Sequence, residues 1–176
     1  MKFLETPIKG AHLIEFEPDA DQRGFFARTW SHKDFDARGL NANVAESSLS
    51  FNRLRGTLRG LHYQVAPHEE TKFIMCVRGA VYDVIVDLRK DSSTYLKWFG
   101  AELSIENRQM LYVPAGVAHG FITLQDSSYL HYQISGGYHA SAARGVRWND
   151  PAFGIDWPLQ PKVIAERDRD YEDFQP

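Results

Sequence analysis

The chain has 176 residues, 43% hydrophobic and 24% charged, which are the proportions of an ordinary soluble globular protein with one sizeable core and little room for a second domain. A formal net charge of −3 and a pI near 6.1 give no electrostatic reason to expect nucleic acid or an anionic membrane as partner, and leave open only a local basic pocket for an anionic ligand.

The opening Met1-Lys2-Phe3-Leu4-Glu5-Thr6-Pro7 lacks the apolar run of a signal peptide, and no stretch approaches transmembrane length, so a cytoplasmic protein is expected. Two apolar runs follow, residues 10–16 and 24–30, separated by the turn-rich Glu17-Pro18-Asp19-Ala20-Asp21. They read as the two strands of a hairpin. Ser31, an acid three residues on, and Gly39 mark one short helix between them. From residue 42 to 135 the pattern is strand after strand, with candidates at 57–65, 71–78, 79–89, 96–104, 109–114, 119–124 and 128–135, and turns at 90–93, 106–108 and 125–127. Within 79–89, Ala80, Tyr82, Val84, Val86 and Leu88 share one face while Asp83, Asp87 and Arg89 share the other, which predicts a half-buried antiparallel strand. The single cysteine, Cys76, excludes an internal disulfide and lies in an apolar run as an inert buried thiol. Many short strands at this spacing mean a sandwich, jelly roll or barrel. From residue 144 onward Pro151, Pro158 and Pro161 interrupt any ladder, so the tail wraps the β core or extends to a partner. Residues 164–170 allow a turn or two of helix whose charge suggests a solvated surface.

Histidines raise the question of a metal, because imidazole is the commonest transition-metal ligand. His62 has no second histidine two residues on, and Glu69 and Glu70 stand in a segment that reads as loop, so no metal site is expected. Alternation decides what faces inward. If Leu130 and Ile134 point inside, so does Tyr132, leaving His131 and Gln133 outside; if Leu58 points inside, so do Gly60, His62 and Gln64. An imidazole and a phenol on different strands then share the interior. Lys72 opens an apolar strand, where a lysine is usually solvated. Together Arg23, Arg59, Lys72, His62 and His119 suggest a local pocket for an anion such as a phosphate.

Several blocks, in order, resemble the dTDP-4-dehydrorhamnose 3,5-epimerase family: residues 6–10, Arg23-Gly24-Phe25-Phe26, Gly56-Thr57-Leu58-Arg59-Gly60-Leu61-His62-Tyr63-Gln64, residues 77–84, Pro114-Ala115-Gly116-Val117-Ala118-His119-Gly120-Phe121, and Arg144-Gly145-Val146-Arg147-Trp148-Asn149-Asp150-Pro151. The resemblance implies one cupin-like jelly-roll domain (a double-stranded β-helix) over 1–176, all-β with short helices. It implies a homodimer whose N-terminal strands, within 1–30, contact the partner chain, and a nucleoside-diphosphate sugar substrate with no cofactor, no metal, no nucleic acid and no membrane. By the same resemblance His62 is the general base, Asp168 orients and charges it, Tyr132 returns a proton from the opposite face of the sugar, and Lys72 stands near the ketone oxygen. Arg23 and Arg59 hold the diphosphate, Phe26 and Tyr138 lie near the nucleotide, and His119 belongs to the pocket wall. The pattern departs from the family at residues 45–52, where relatives often read Gln-Asp-Asn-His-Ser, at Arg28, at Gln133, and at Ser135-Gly136-Gly137. Two other readings compete: a nucleotide-sugar 3,4-ketoisomerase with a similar histidine base, and a non-catalytic sugar-nucleotide-binding jelly roll that has no need of His62, Asp168 and Tyr132 together.

Overall fold

β-branched and aromatic runs punctuated by Gly, Asn and Asp turns become short strands throughout the computed structural model, which describes residues 1–175. In chain order these are β1 (Lys2–Glu5), β2 (His12–Glu15), β3 (Asp19–Asp21), β4 (Gly24–Phe26), α1 (His32–Asp36), β5 (Glu46–Asn52), β6 (Thr57–Gln64), β7 (Lys72–Arg78), β8 (Ala80–Asp87), β9 (Trp98–Ser104), β10 (Gln109–Val113), β11 (Val117–Thr123), β12 (Ser128–Ile134), β13 (Ala143–Gly145), β14 (Val163–Ile164) and α2 (Glu166–Arg169). One sheet runs β1-β2-β10-β7-β12-β5; the other runs β13-β6-β11-β8-β9, with β14 joined to β6. Chain neighbours such as β6 and β7, β7 and β8, and β11 and β12 lie in different sheets, which is the jelly-roll arrangement.

Between the sheets, Ile74, Cys76, Leu111, Val113 and Leu130 meet Val81, Ile85, Leu103, Val117 and Phe121. Burial pushes the Cys76 thiol up to about 11, so it stays protonated and unreactive near neutral pH. Each sheet also has its outer face covered. Phe35 of α1, where the Ser31 side chain caps the Asp34 amide, packs with Ile14, Phe73, Met110 and Tyr112 on the first sheet. The tail residues Val146, Phe153, Trp148 and Trp157 cover Leu61, Val84, Val86 and Ala118 on the second.

That second cover corrects the reading of 79–89. The strand is buried on both sides, with Asp83 and Asp87 fully enclosed. Its apolar positions Val84 and Val86 lie under the tail, and Asp83 points into the interior between Val81 and Ile85. The N-terminal hairpin also differs. β2 pairs with β1 and β10, whereas β4 pairs with β3, because Asp19-Ala20-Asp21 is extended and the reversal falls at Gln22-Arg23-Gly24, where Gly24 has φ +127°. β5 is a further strand absent from the expected set, an edge strand of polar sequence paired along β12. Among the described residues no helix is long and apolar enough to cross a membrane.

Candidate active site

One end of the space between the sheets opens as a cavity of about 840 Å³. β6 supplies Arg59, His62 and Gln64 to its wall; strict alternation from Leu58 leaves Arg59 on the opposite face from His62, and an irregularity between Arg59 and His62 brings both to the cavity. His62 sits directly opposite His119 in β11, and the register shifts between His119 and Phe121. Here the two strands approach so closely that a Cβ on Gly60 would lie 2.6 Å from the Gly120 Cα, and Gly60 itself has φ +107°. Glycine is therefore required at this bend.

A parallel pairing of Ile164 with Leu58 carries the following turn, α2, alongside Gly60 and His62. Asp168 thereby reaches both. Its Oδ2 accepts the Gly60 amide at 3.0 Å, and its Oδ1 lies 2.7 Å from His62 Nε2. Burial favours the protonated acid, but the His62 and Gly60 hydrogen bonds and the neighbouring charges outweigh it and hold the carboxyl below the usual range. Asp168 is 3% exposed, so the charge of this helix is not all solvated.

Lys72 is buried, donates to the His62 carbonyl at 3.1 Å and pairs with Glu70 at 3.1 Å. The 65–71 loop thus folds inward at Glu70, which also accepts from Gln64 at 2.5 Å. Arg59 is braced by Asn52 Oδ1, 2.7 Å from its Nε, and faces the cavity. Tyr132 points inward from β12. Burial and the nearby Asp83 charge raise its phenol well above the ordinary value, despite the opposing charge of Arg59. The His119 ring stands edge-on to it at 5.9 Å and contacts both Asp83 carboxylate oxygens, at 3.0 and 2.9 Å. Burial raises Asp83, and His119 and Lys72 oppose the rise. Tyr138, 65% exposed, stands at the mouth.

The structure therefore gathers His62, Asp168, Lys72, Tyr132, Arg59, His119 and Tyr138 around one cavity. It does not bring Arg23 or Phe26 there. Both sit on the β3–β4 hairpin, Arg23 paired with Asp21 and Phe26 74% exposed. Residues missed in the sequence are Arg167, Tyr171 and the β5 serines Ser48 and Ser50, which line the cavity, and Asp83, which reaches it through His119. The one available signal for Asp83 was a lone acid in an apolar run, between Tyr82 and Val84. Tyr171 packs so tightly on β13 that a Cβ at Gly145 would lie 2.2 Å from its Cζ.

Fold and cavity together define a jelly-roll protein with an acid–base pocket bordered by cations. Residues 5–176 match the family model described as dTDP-4-dehydrorhamnose 3,5-epimerase, and the chain belongs to that family. It is 40% identical over 174 residues to the dTDP-4-dehydrorhamnose 3,5-epimerase of Methanothermobacter thermautotrophicus, covering 97% of this chain and 93% of that one. It is 38% identical to a dTDP-4-dehydrorhamnose 3-epimerase of Streptomyces niveus, covering 97% and 82%. Among solved structures, the dTDP-4-dehydrorhamnose 3,5-epimerase of Bacillus anthracis with TDP and PPi bound superposes with a TM-score of 0.94 at 39% identity, covering 98% and 99%.

Proposed function

We propose that this chain is a cofactor-independent epimerase of a nucleoside-diphosphate 4-keto-6-deoxysugar, of the dTDP-4-dehydro-6-deoxyglucose type, inverting C3 and C5 in deoxysugar biosynthesis. The observation that carries the reading is the His62–Asp168 pair in the same cavity as the partly buried Tyr132, whose surroundings favour the protonated phenol. A proton alpha to a ketone leaves at neutral pH only if a positioned base takes it and a cation or donor stabilises the enolate oxygen. His62 takes the proton from the carbon, the electron pair moves onto the C4 oxygen beside Lys72, and the Asp168 carboxylate stabilises the resulting imidazolium. Tyr132 then delivers its proton to the opposite face of the same carbon. Solvent returns a proton to Tyr132 and removes one from His62, so the cycle is redox-neutral. Arg59 holds the diphosphate and Tyr138 lies against the nucleotide.

Incubation with dTDP-4-keto-6-deoxyglucose in deuterated water, read by NMR, tests this: deuterium at C3 and C5 is expected. Deuterium at C3 alone would align the chain with the 3-epimerase relative. A carbonyl moved to C3 would identify a ketoisomerase, and no exchange would leave only a binding protein. The exposed Phe25 and Phe26 and the free-standing β3–β4 hairpin support a homodimer in which Arg23 and Phe26 complete the partner's nucleotide site.

A further inference from the structure

His62 Nε2 has two neighbours that make incompatible demands. Asp168 Oδ1 lies 2.7 Å away and an Arg167 guanidinium nitrogen 3.1 Å away. A carboxylate oxygen at that distance needs a proton on Nε2, and the guanidinium, which has only donors, then finds no lone pair to meet. The conflict grows when the ring takes a second proton, because two cations then stand in contact. Among the described residues the other charged groups around His62 do not create this opposition. Lys72, from β7, is paired with Glu70 and donates to the His62 backbone carbonyl; His119, from β11, is bound to Asp83 of β8. Arg144, in β13, donates to the Ser141 and Ala143 carbonyls, and the Tyr171 ring is 6.5 Å off.

Arg167 is also the partner most able to leave. Its side chain is 62% exposed and its contact with Asp168 is a long 3.5 Å, whereas the Asp168 side chain is fixed by the Gly60 amide and is only 5% exposed. Arg167 lines the same cavity as Arg59, and a phosphate oxygen offers its planar fork two acceptors in place of a contested one.

We propose that Arg167 is a positioning residue that couples diphosphate binding to the base: without ligand it stands against His62 and opposes its protonation, and a bound diphosphate draws it off so that His62 can hold a substrate proton. This rests on reading His62 as the base and a nucleoside diphosphate as the ligand. The consequence is selectivity by sequence of events, since a keto sugar lacking the diphosphate meets a base still opposed by a cation.

The test is NMR of ¹⁵N-histidine-labelled protein at one fixed pH near neutrality, reading the fraction of His62 that carries two ring protons, with TDP as the probe. In the wild type the fraction rises on adding TDP. In Arg167→Gln it is already raised without TDP, and TDP adds less. An unchanged wild-type fraction on TDP binding overturns the proposal, as does an Arg167→Gln protein matching the free wild type, or an equal rise in both, which would assign the effect to the anion itself. Failure of deuterium exchange in the sugar nucleotide would sink the epimerase reading separately, whatever the histidine signals do.

Discussion

In the proposed reaction His62 and Tyr132 divide one chemical task, so their substitutions have different signatures. His62→Ala removes the acceptor and lowers solvent deuterium exchange into the sugar by about 10²–10⁴-fold. Tyr132→Phe leaves exchange by His62 in place but loses inversion; the sugar NMR spectrum separates labelled but uninverted substrate from product, and equal loss of both steps in Tyr132→Phe would contradict the two-face assignment. The pH profile carries a second prediction. Tyr132 must be protonated to act, and burial with the Asp83 charge raises it above 10.0. Inversion at neutral pH and up to about pH 10 is therefore not lost through Tyr132, and a descending limb of inversion well below that, absent from the exchange catalysed by His62, would contradict it.

At the scale of elements, a carboxylate and a glycine hold the two ends of the second sheet in shape. Asp87, closing β8, is buried, a state that favours the neutral acid, yet Arg89, Ser92 and Thr94 donate to it and bring it down to about 2. Its folded value is lowered from 3.8, so its contribution is full above that value and is lost as pH falls toward about 2. Asp87→Asn should cost about 2 kcal/mol near neutral pH, with the difference from wild type vanishing in that acid window, as read by denaturant unfolding against pH. At the other end, Gly60→Ala places a Cβ against Gly120 and the His119 carbonyl, 2.6 and 2.7 Å away, in a backbone conformation that L residues rarely adopt. On the order of 1–3 kcal/mol is expected from the backbone alone, seen as a lower Tm, together with loss of activity as the Asp168 amide contact opens. The inward facing of Tyr132 was readable from alternation, because β12 stays in register with its neighbours around it; His62 also faces inward, but the irregularity between it and Arg59 interrupts the alternation from Leu58. The inward facing of Asp83 was not readable. An acid alternating with Tyr82 and Val84 has the pattern of a solvent face, and only the tail's cover on the far side reverses in and out. The pairing of β2 was hidden for a similar reason: its partners β1 and β10 are chosen by sheet assembly, not by the nearest turn.

For the molecule as a whole, the positions left outside the cavity are the informative ones. Arg23 and Phe26 lie on a hairpin bonded to neither main sheet, and the relevant test is complementation. Size-exclusion chromatography with light scattering should give a dimer. Chains carrying Arg23→Ala and chains carrying His62→Ala, each impaired alone, should regain activity when unfolded and refolded as a mixture, because one of the two sites in a mixed dimer is then intact. No recovery would mean that each chain builds its site alone. Asp168 shows the limit of local reading: its role came from likeness to relatives, since nothing in Glu166-Arg167-Asp168 indicates contact with a residue 106 positions earlier. That separation has a consequence during synthesis. A ribosome makes every strand of both main sheets up to β12 before it reaches the carboxylate, so a nascent chain can assemble the jelly roll with its imidazole still lacking a counter-charge, and proton-transfer competence arrives as a late, separate event in the life of the chain.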